Sequence, residues 1–368
     1  MDTKKNIRPR ARDIGITIGS MPTGALNAIT DVPGVKVGHV TLIEGEGKLI
    51  QGKGPIRTGV TAIVPHGGNI FTEKVCAAVH IINAFGKSVG LPQVIELGNI
   101  ETPIMLTNTL NVWTVADAVV DYISQQNKGV YSFNPIVGEC NDSGLNDILG
   151  RHVKREHVFQ ALEKANETNV AEGNVGAGVG MTGFGWKGGI GTAARLLPKD
   201  LGDFTLGVLV LTNTGEASDL RINGIPVGRE LTPGSYTESI SGSIMIIVGA
   251  NAPLSSRQLG RIAKRAAFGL ARTGATASHG SGDFVIAFST GNRISDSSKQ
   301  SATRHDFIPE PQLSSFFRAV IEATEEAIIN SILKAETMVG RDGNTCIGIP
   351  IEKVIAIISK YRNLGSNE

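Results

Sequence analysis

Cysteine is scarce, with Cys76, Cys140 and Cys346 the only three among 368 residues. They are odd in number, far apart and without a Cys-x-x-Cys pair, which argues against a disulfide framework or a thiolate zinc site and predicts a reducing, cytoplasmic setting. The seven histidines, at 39, 66, 80, 152, 157, 279 and 305, never stand in His-x-x-x-His or His-Glu-x-x-His order, so a zinc hydrolase has no support. Long apolar runs are missing too: the best, such as residues 244–248, are strand-sized and far short of the roughly 18 residues of a membrane span. Neither charge sign dominates. Thirty-five Lys and Arg against 34 Asp and Glu leave a net charge of +1, so no global field recruits nucleic acid or an acidic membrane. The basic cluster Lys4, Lys5, Arg8, Arg10 and Arg12 is not followed by the apolar stretch of a secretory signal and reads as a solvated arm. A soluble protein without metal or cofactor is expected.

What is present is a chain 41% hydrophobic with 46 glycines embedded in apolar, β-branched sequence. The length prior of about 150 residues per domain suggests two units. No linker-like run marks a boundary, so one catalytic domain over 1–368 is expected. Short apolar runs between turn signals predict strands at residues 28–32, 35–42 and 59–64. Helical spacing predicts helices over 110–124 and 152–165. Nine glycines between residues 173 and 191 rule out a regular helix there. Residues 205–212 and 243–248 read as buried strands flanking a polar segment, 213–242. A helix over 255–271 capped by Ser255 or Ser256, a strand over 283–289, a long helix over 312–338 and an apolar run at 354–358 complete the chain. Strands and helices in blocks predict mixed sheets between helix layers, an α/β fold.

Two motifs fail on context. Gly178-Val-Gly180-Met-Thr-Gly183 fits the dinucleotide fingerprint by letter, yet no strand precedes it and no helix follows. Gly86-Lys87-Ser88 is half a phosphate loop, with Ile81 where the first glycine belongs. Cys140, in Gly138-Glu139-Cys140-Asn141-Asp142, has no local histidine to act as base and reads as a buried, inert thiol before a catalytic one.

The sharpest local signal is Ser239-Ile-Ser-Gly242-Ser243, a small hydroxyl-rich segment turning abruptly into the apolar strand that starts at Ser243. By itself it is an ordinary loop-to-strand junction. Its meaning changes beside Asn27-Ala-Ile-Thr-Asp-Val-Pro-Gly-Val-Lys-Val-Gly-His39, Arg57-Thr-Gly-Val-Thr-Ala-Ile-Val-Pro65, Gly173-Asn-Val-Gly-Ala-Gly-Val-Gly-Met181, Asn251-Ala-Pro253 and Ala271-Arg-Thr-Gly274. With these ordered motifs, nearly the full chain resembles the L-aminopeptidase/D-esterase family, also called DmpA-type or β-peptidyl aminopeptidases.

The resemblance implies a four-layer α/β/β/α sandwich and a self-cleaving precursor cut between Gly242 and Ser243 into fragments 1–242 and 243–368. It implies a homo-oligomer, a tetramer of cut units, acting on small peptides, amides or esters with a free amine. Ser243 is then an N-terminal nucleophile whose own α-amine, with a reference pKa of about 8, accepts the hydroxyl proton. Glycine at 242 tolerates strained backbone angles that expose its carbonyl to attack. Ser281 and Asp283 in Ser278-His-Gly-Ser281-Gly-Asp283 are placed beside the nucleophile, the first to relay a proton and the second to balance the amine's charge. Without the resemblance they read as a turn. Asn213 maps onto an oxyanion donor and Glu139 onto the residue that holds the substrate amine. Some members carry Tyr two residues after that Glu as a second donor; this chain has Asn141. The rival readings are an acyl-transferring relative similar to ornithine acetyltransferases, an inactive structural relative and a thiol hydrolase using Cys140.

Overall fold

The computed structural model describes residues 8–233, 242–295 and 305–365. Two mixed sheets carry the architecture. The first has the order β1-β2-β5-β6, from β1 Lys36–Glu44, β2 Ile56–Val64, β5 Ile104–Asn108 and β6 Ile136–Cys140. The second has the order β4-β3-β12-β11-β10-β9, from β3 Glu73–Ala84, β4 Asn99–Ile100, β9 Gly189–Leu196, β10 Thr205–Asn213, β11 Ser243–Ala250 and β12 Gly282–Ser295. Between β6 and β9 the glycine-rich stretch forms a small hairpin, β7 Thr182–Gly183 and β8 Trp186–Lys187. β5 pairs parallel with β6 and β11 with β12; the other pairs of the two sheets are antiparallel.

Helix α1, Leu91–Leu97, lies beside β3, whereas α2 Val112–Gln126 and α3 Arg155–Glu163 cover the first sheet. Helices α4 Ser256–Arg272 and α5 Leu313–Leu333 cover the second. The layers therefore run α/β/β/α, as expected. Side-chain alternation explains the stacking. Along β11, Ile244, Ile246 and Val248 join the core under α4 and α5, while Met245 and Ile247 join the core between the sheets. Along β10, Val208 and Val210 alternate likewise with Leu209 and Leu211. A strand buried on both faces must be apolar at every position, which is why these two stood out as continuous runs.

The start of α4 follows ordinary capping chemistry. Ser255 is the cap of α4: its hydroxyl accepts the Gln258 amide at 3.3 Å, and the Gln258 side chain accepts from the Ser255 amide. Helix α5 ends at Leu333 and not near 338, because Met338–Val339 pairs with Thr345–Cys346 as a two-stranded ribbon. The strand expected at 28–32 is instead a 3-10 turn, Ile29–Asp31. Asp31 causes it by accepting the backbone amides of Leu26 and Ala28, both at 2.9 Å. No helix among the described residues is long and apolar enough to cross a membrane.

The arm reading is also corrected for Arg8, Arg10 and Arg12; Lys4 and Lys5 lie outside the described residues. Arg8 donates to the carbonyls of Leu333 and Ile349, Arg10 to those of Leu26, Asn27 and Thr192, and Arg12 pairs with the buried Glu326 at 2.8 Å. Glu326 also meets Arg195 at 2.6 Å, so the arm helps neutralise a carboxylate that α5 carries into the core. These two guanidiniums hold its pKa below the usual carboxylate range against the opposing effect of burial.

Candidate active site

Ser243 is the first residue of β11 and is buried. Its neighbours in the sheet are Asn213, the last residue of β10, and Gly282, the first of β12. The Gly282 amide donates to the Ser243 hydroxyl at 3.1 Å, a contact that occupies a lone pair of the oxygen and not its proton. The preceding residue is squeezed: a Cβ on Gly242 would lie 2.4 Å from the Asn213 carbonyl oxygen and 2.5 Å from Thr214 Cα. The site thus needs glycine at 242 because backbone approaches backbone there. Ser239 to Ser241 lie outside the described residues.

Ser281 and Asp283 follow in the turn that enters β12. The Ser281 hydroxyl donates to Asp283 Oδ1 at 2.6 Å, and the Ile244 amide donates to the same oxygen at 3.0 Å. Asp283 Oδ2 is buried with no hydrogen-bond partner among the described residues. Burial pushes the Asp283 pKa up to about 6, against the lowering effect of those two donors. This carboxylate sits one residue in sequence from the amide that supports the serine hydroxyl.

Asn213 has both ends of its carboxamide engaged. Its Oδ1 accepts the Thr182 amide at 2.8 Å and the Thr182 hydroxyl at 3.3 Å; its Nδ2 donates to the Asn141 carbonyl at 3.2 Å. The Asn141 side chain is turned to its own loop, with Oδ1 accepting the Ser143 amide at 2.9 Å. Glu139, on β6 of the other sheet, is buried; Lys87 N–H donates to its Oε1 at 2.9 Å and the Thr109 hydroxyl to its Oε2.

The two sheets bring these groups together. Gly138 lies so close to Met245 that a Cβ there would meet Met245 Cε at 2.4 Å, so β6 and β11 touch. The segment after β3 spans the remaining gap: Phe85 donates its amide to the Ser281 carbonyl at 3.1 Å, and a Cβ on Gly86 would meet Phe284 at 2.5 Å and Glu139 at 3.3 Å. Ser243, Asn213, Ser281 and Asp283 form one cluster at the mouth of the second sheet, and Glu139 faces it from the first. Lys87, Thr109 and Thr182 were not anticipated. Gly86-Lys87-Ser88 had a sequence signature only as an incomplete phosphate loop, Thr182 only as a letter of the failed dinucleotide fingerprint, and Thr109 had none.

Cys140, next to Glu139, is completely buried and points to the Leu211 carbonyl at 3.6 Å. Burial, then the nearby carboxylates of Glu139 and Asp283, raise its pKa well above the ordinary thiol range. Such a thiol is not a nucleophile at neutral pH.

Comparison with known proteins places the whole chain in one family. The model of peptidase family S58 matches residues 27–346. The chain is 44% identical to beta-peptidyl aminopeptidase BapA of Sphingosinicella microcystinivorans, over 97% of this chain and 94% of the relative. It superimposes on the PH0078 protein of Pyrococcus horikoshii with a TM-score of 0.91 at 52% identity, covering 96% of this chain and 99% of that one. The L-aminopeptidase D-Ala-esterase/amidase of Ochrobactrum anthropi, described as a prototype of the serine aminopeptidases and a variant of the Ntn-hydrolase fold, superimposes with a TM-score of 0.90 at 35% identity over the same shares. The chain belongs to peptidase family S58, among serine aminopeptidases built on the N-terminal-nucleophile hydrolase fold.

Proposed function

We propose that this protein is an aminopeptidase that removes N-terminal residues, β-amino acyl residues among them, from short peptides, amides or esters through an acyl-enzyme on Ser243. The observation that carries this reading is the placement of the Ser243 hydroxyl at the head of β11, between Asn213 and the Ser281–Asp283 turn, behind a residue pressed against the backbone of β10.

In this reading the Ser243 hydroxyl first attacks the Gly242 carbonyl. The acyl group moves from nitrogen to oxygen, and water opens the resulting ester to leave a Gly242 carboxylate and a free Ser243 α-amine. With a reference pKa of about 8, that amine is partly neutral near pH 7 and accepts the hydroxyl proton when Ser243 attacks a substrate carbonyl. Asn213 Nδ2 exchanges the Asn141 carbonyl for the oxyanion, and the Asn141 side-chain amide is a candidate second donor. The proton passes to the leaving amine, and water then hydrolyses the acyl-enzyme by the same route. Asp283 Oδ2, without a hydrogen-bond partner among the described residues, supports a role in balancing the new ammonium, with Ser281 relaying the proton. Glu139 is assigned to the substrate amine, a charge-assisted contact that restricts cleavage to free N-termini.

The fragments 1–242 and 243–368 remain one folded domain, working in the cytoplasm as a homo-oligomer of cut units, a tetramer. Intact mass of the denatured protein tests the scheme: two species of 242 and 126 residues (368 − 242 = 126) are expected, and one for Ser243→Ala. Active wild-type protein that remains a single species overturns it.

A further inference from the structure

Lys187, in the hairpin β7–β8, is fully buried, and its ammonium is surrounded by backbone oxygens: Met181 O at 2.5 Å, Gly188 O at 2.7 Å and Gly178 O at 3.1 Å. All three belong to the glycine-rich stretch, where side chains are excluded by contact. A Cβ on Gly178 would lie 2.6 Å from Gly173 O, and one on Gly188 would lie 2.6 Å from Thr212 O. Burying an ammonium is costly even when carbonyls solvate it, and an apolar side chain would fill such a space at lower cost. The charge therefore invites a use.

One of the three carbonyls leads to the site. Met181 C=O and Thr182 N–H are opposite ends of a single peptide group, and that N–H donates to Asn213 Oδ1 at 2.8 Å. A cation on the oxygen of a peptide withdraws electrons from its N–H, and a stronger donor on Oδ1 in turn makes the Nδ2 hydrogens of the carboxamide more acidic. The same contact fixes the carboxamide's orientation, with Oδ1 on the Thr182 amide and Nδ2 turned to the Asn141 carbonyl.

We propose that Lys187 is a positioning residue that orients and polarises the Asn213 carboxamide through the Met181–Thr182 peptide, so that Asn213 Nδ2 donates to the oxyanion. The inference rests on the oxyanion role given to Asn213 above. The titratable groups near the ammonium are Asp142 and Cys346. Burial pushes the Lys187 pKa down to about 8, that of Asp142 up to about 7 and that of Cys346 up to about 11.

A double-mutant cycle on material verified as cut by mass tests the proposal. Asn213→Ala is expected to lose roughly 100-fold in kcat. Lys187→Met loses about tenfold in kcat with KM within about twofold, and the double variant is no slower than Asn213→Ala alone. A Lys187→Met variant with unchanged kcat, or one that costs the same factor in both backgrounds, overturns the proposal. Full kcat in Asn213→Ala instead removes the oxyanion reading on which it stands. Should Lys187→Met fail to fold or to cut itself, wild type and Asn213→Ala are compared across alkaline pH. Wild-type kcat falls above about pH 8 as the ammonium titrates, and Asn213→Ala shows no such limb. An identical limb in both overturns the proposal.

Discussion

Ser281 and Asp283 share a 2.6 Å hydrogen bond that uses one carboxylate oxygen, while the other is buried without a donor among the described residues. In the uncut chain this carboxylate is raised to about 6 by burial, above its ordinary value of 3.8. The folded state then binds the proton more tightly than the unfolded state does. Its stabilising contribution is complete below about pH 4 and disappears as pH rises through about 6. Urea denaturation of the uncut Ser243→Ala protein should show stability falling across that window by on the order of 3 kcal/mol more than in Ser243→Ala with Asp283→Asn. Equal slopes in the two proteins would show that Asp283 does not carry the raised pKa.

The residue before the nucleophile is confined by backbone on one side. Gly242→Ala places a methyl 2.4 Å from Asn213 O, so the junction must move, at a cost of about 1–3 kcal/mol. Self-cleavage followed by mass after synthesis should slow by about 5- to 150-fold, since 1.4 kcal/mol is a factor of ten. Cleavage at the wild-type rate would mean that the close approach has no bearing on the cut.

Glu139 receives the Lys87 amide and the Thr109 hydroxyl, and both keep its carboxylate in place. Glu139→Gln preserves the shape and removes the charge. A charge-assisted bond is worth about 1.5–3 kcal/mol, so kcat/KM for substrates with a free amine should fall roughly 10–100-fold. Thr109→Val should raise KM in the same direction by less. Steady-state kinetics on one peptide and its N-acetyl form decide the matter: wild type that cleaves both equally would exclude amine recognition by Glu139.

Cys140 is enclosed, and its thiol is held in the protonated form. Cys140→Ala should leave kcat/KM within about twofold and lower stability by roughly 1 kcal/mol through lost packing. Thiol reagents should not inactivate the native protein. Loss of turnover in a folded, cut Cys140→Ala protein would revive the thiol reading.

Much of the scaffold was legible because burial on two faces leaves a plain mark. Residues 205–212 and 243–248 read as buried strands and are β10 and β11 in full register, Leu206 to Ala250 through Asn213 to Ser243. The turn at Ile29–Asp31 was not legible, because a single Asp31 carboxylate outweighs the β-branched character around it. The site divides in the same way. Ser243, Asn213, Ser281, Asp283 and Glu139 were picked out by family resemblance, since locally they read as a loop-to-strand junction, turn residues and a surface carboxylate. The partners that hold them escaped notice because their contacts span the chain: Thr182 meets Asn213 31 residues on, and Lys87 meets Glu139 52 residues on. No spacing rule reaches that far.

The second sheet has a further property. Strands β11 and β12 come from the far side of the Gly242–Ser243 bond, yet they are wedged between β3 and β10, which come from the near side. Eight residue pairs close one seam and eleven the other. The two polypeptides produced by a cut would be held like a tongue in a slot, and neither could leave without stripping water-shy Ile and Val side chains from both faces of the sheet. Maturation by severing the backbone would therefore change the chemistry at one terminus while leaving the assembly insensitive to dilution.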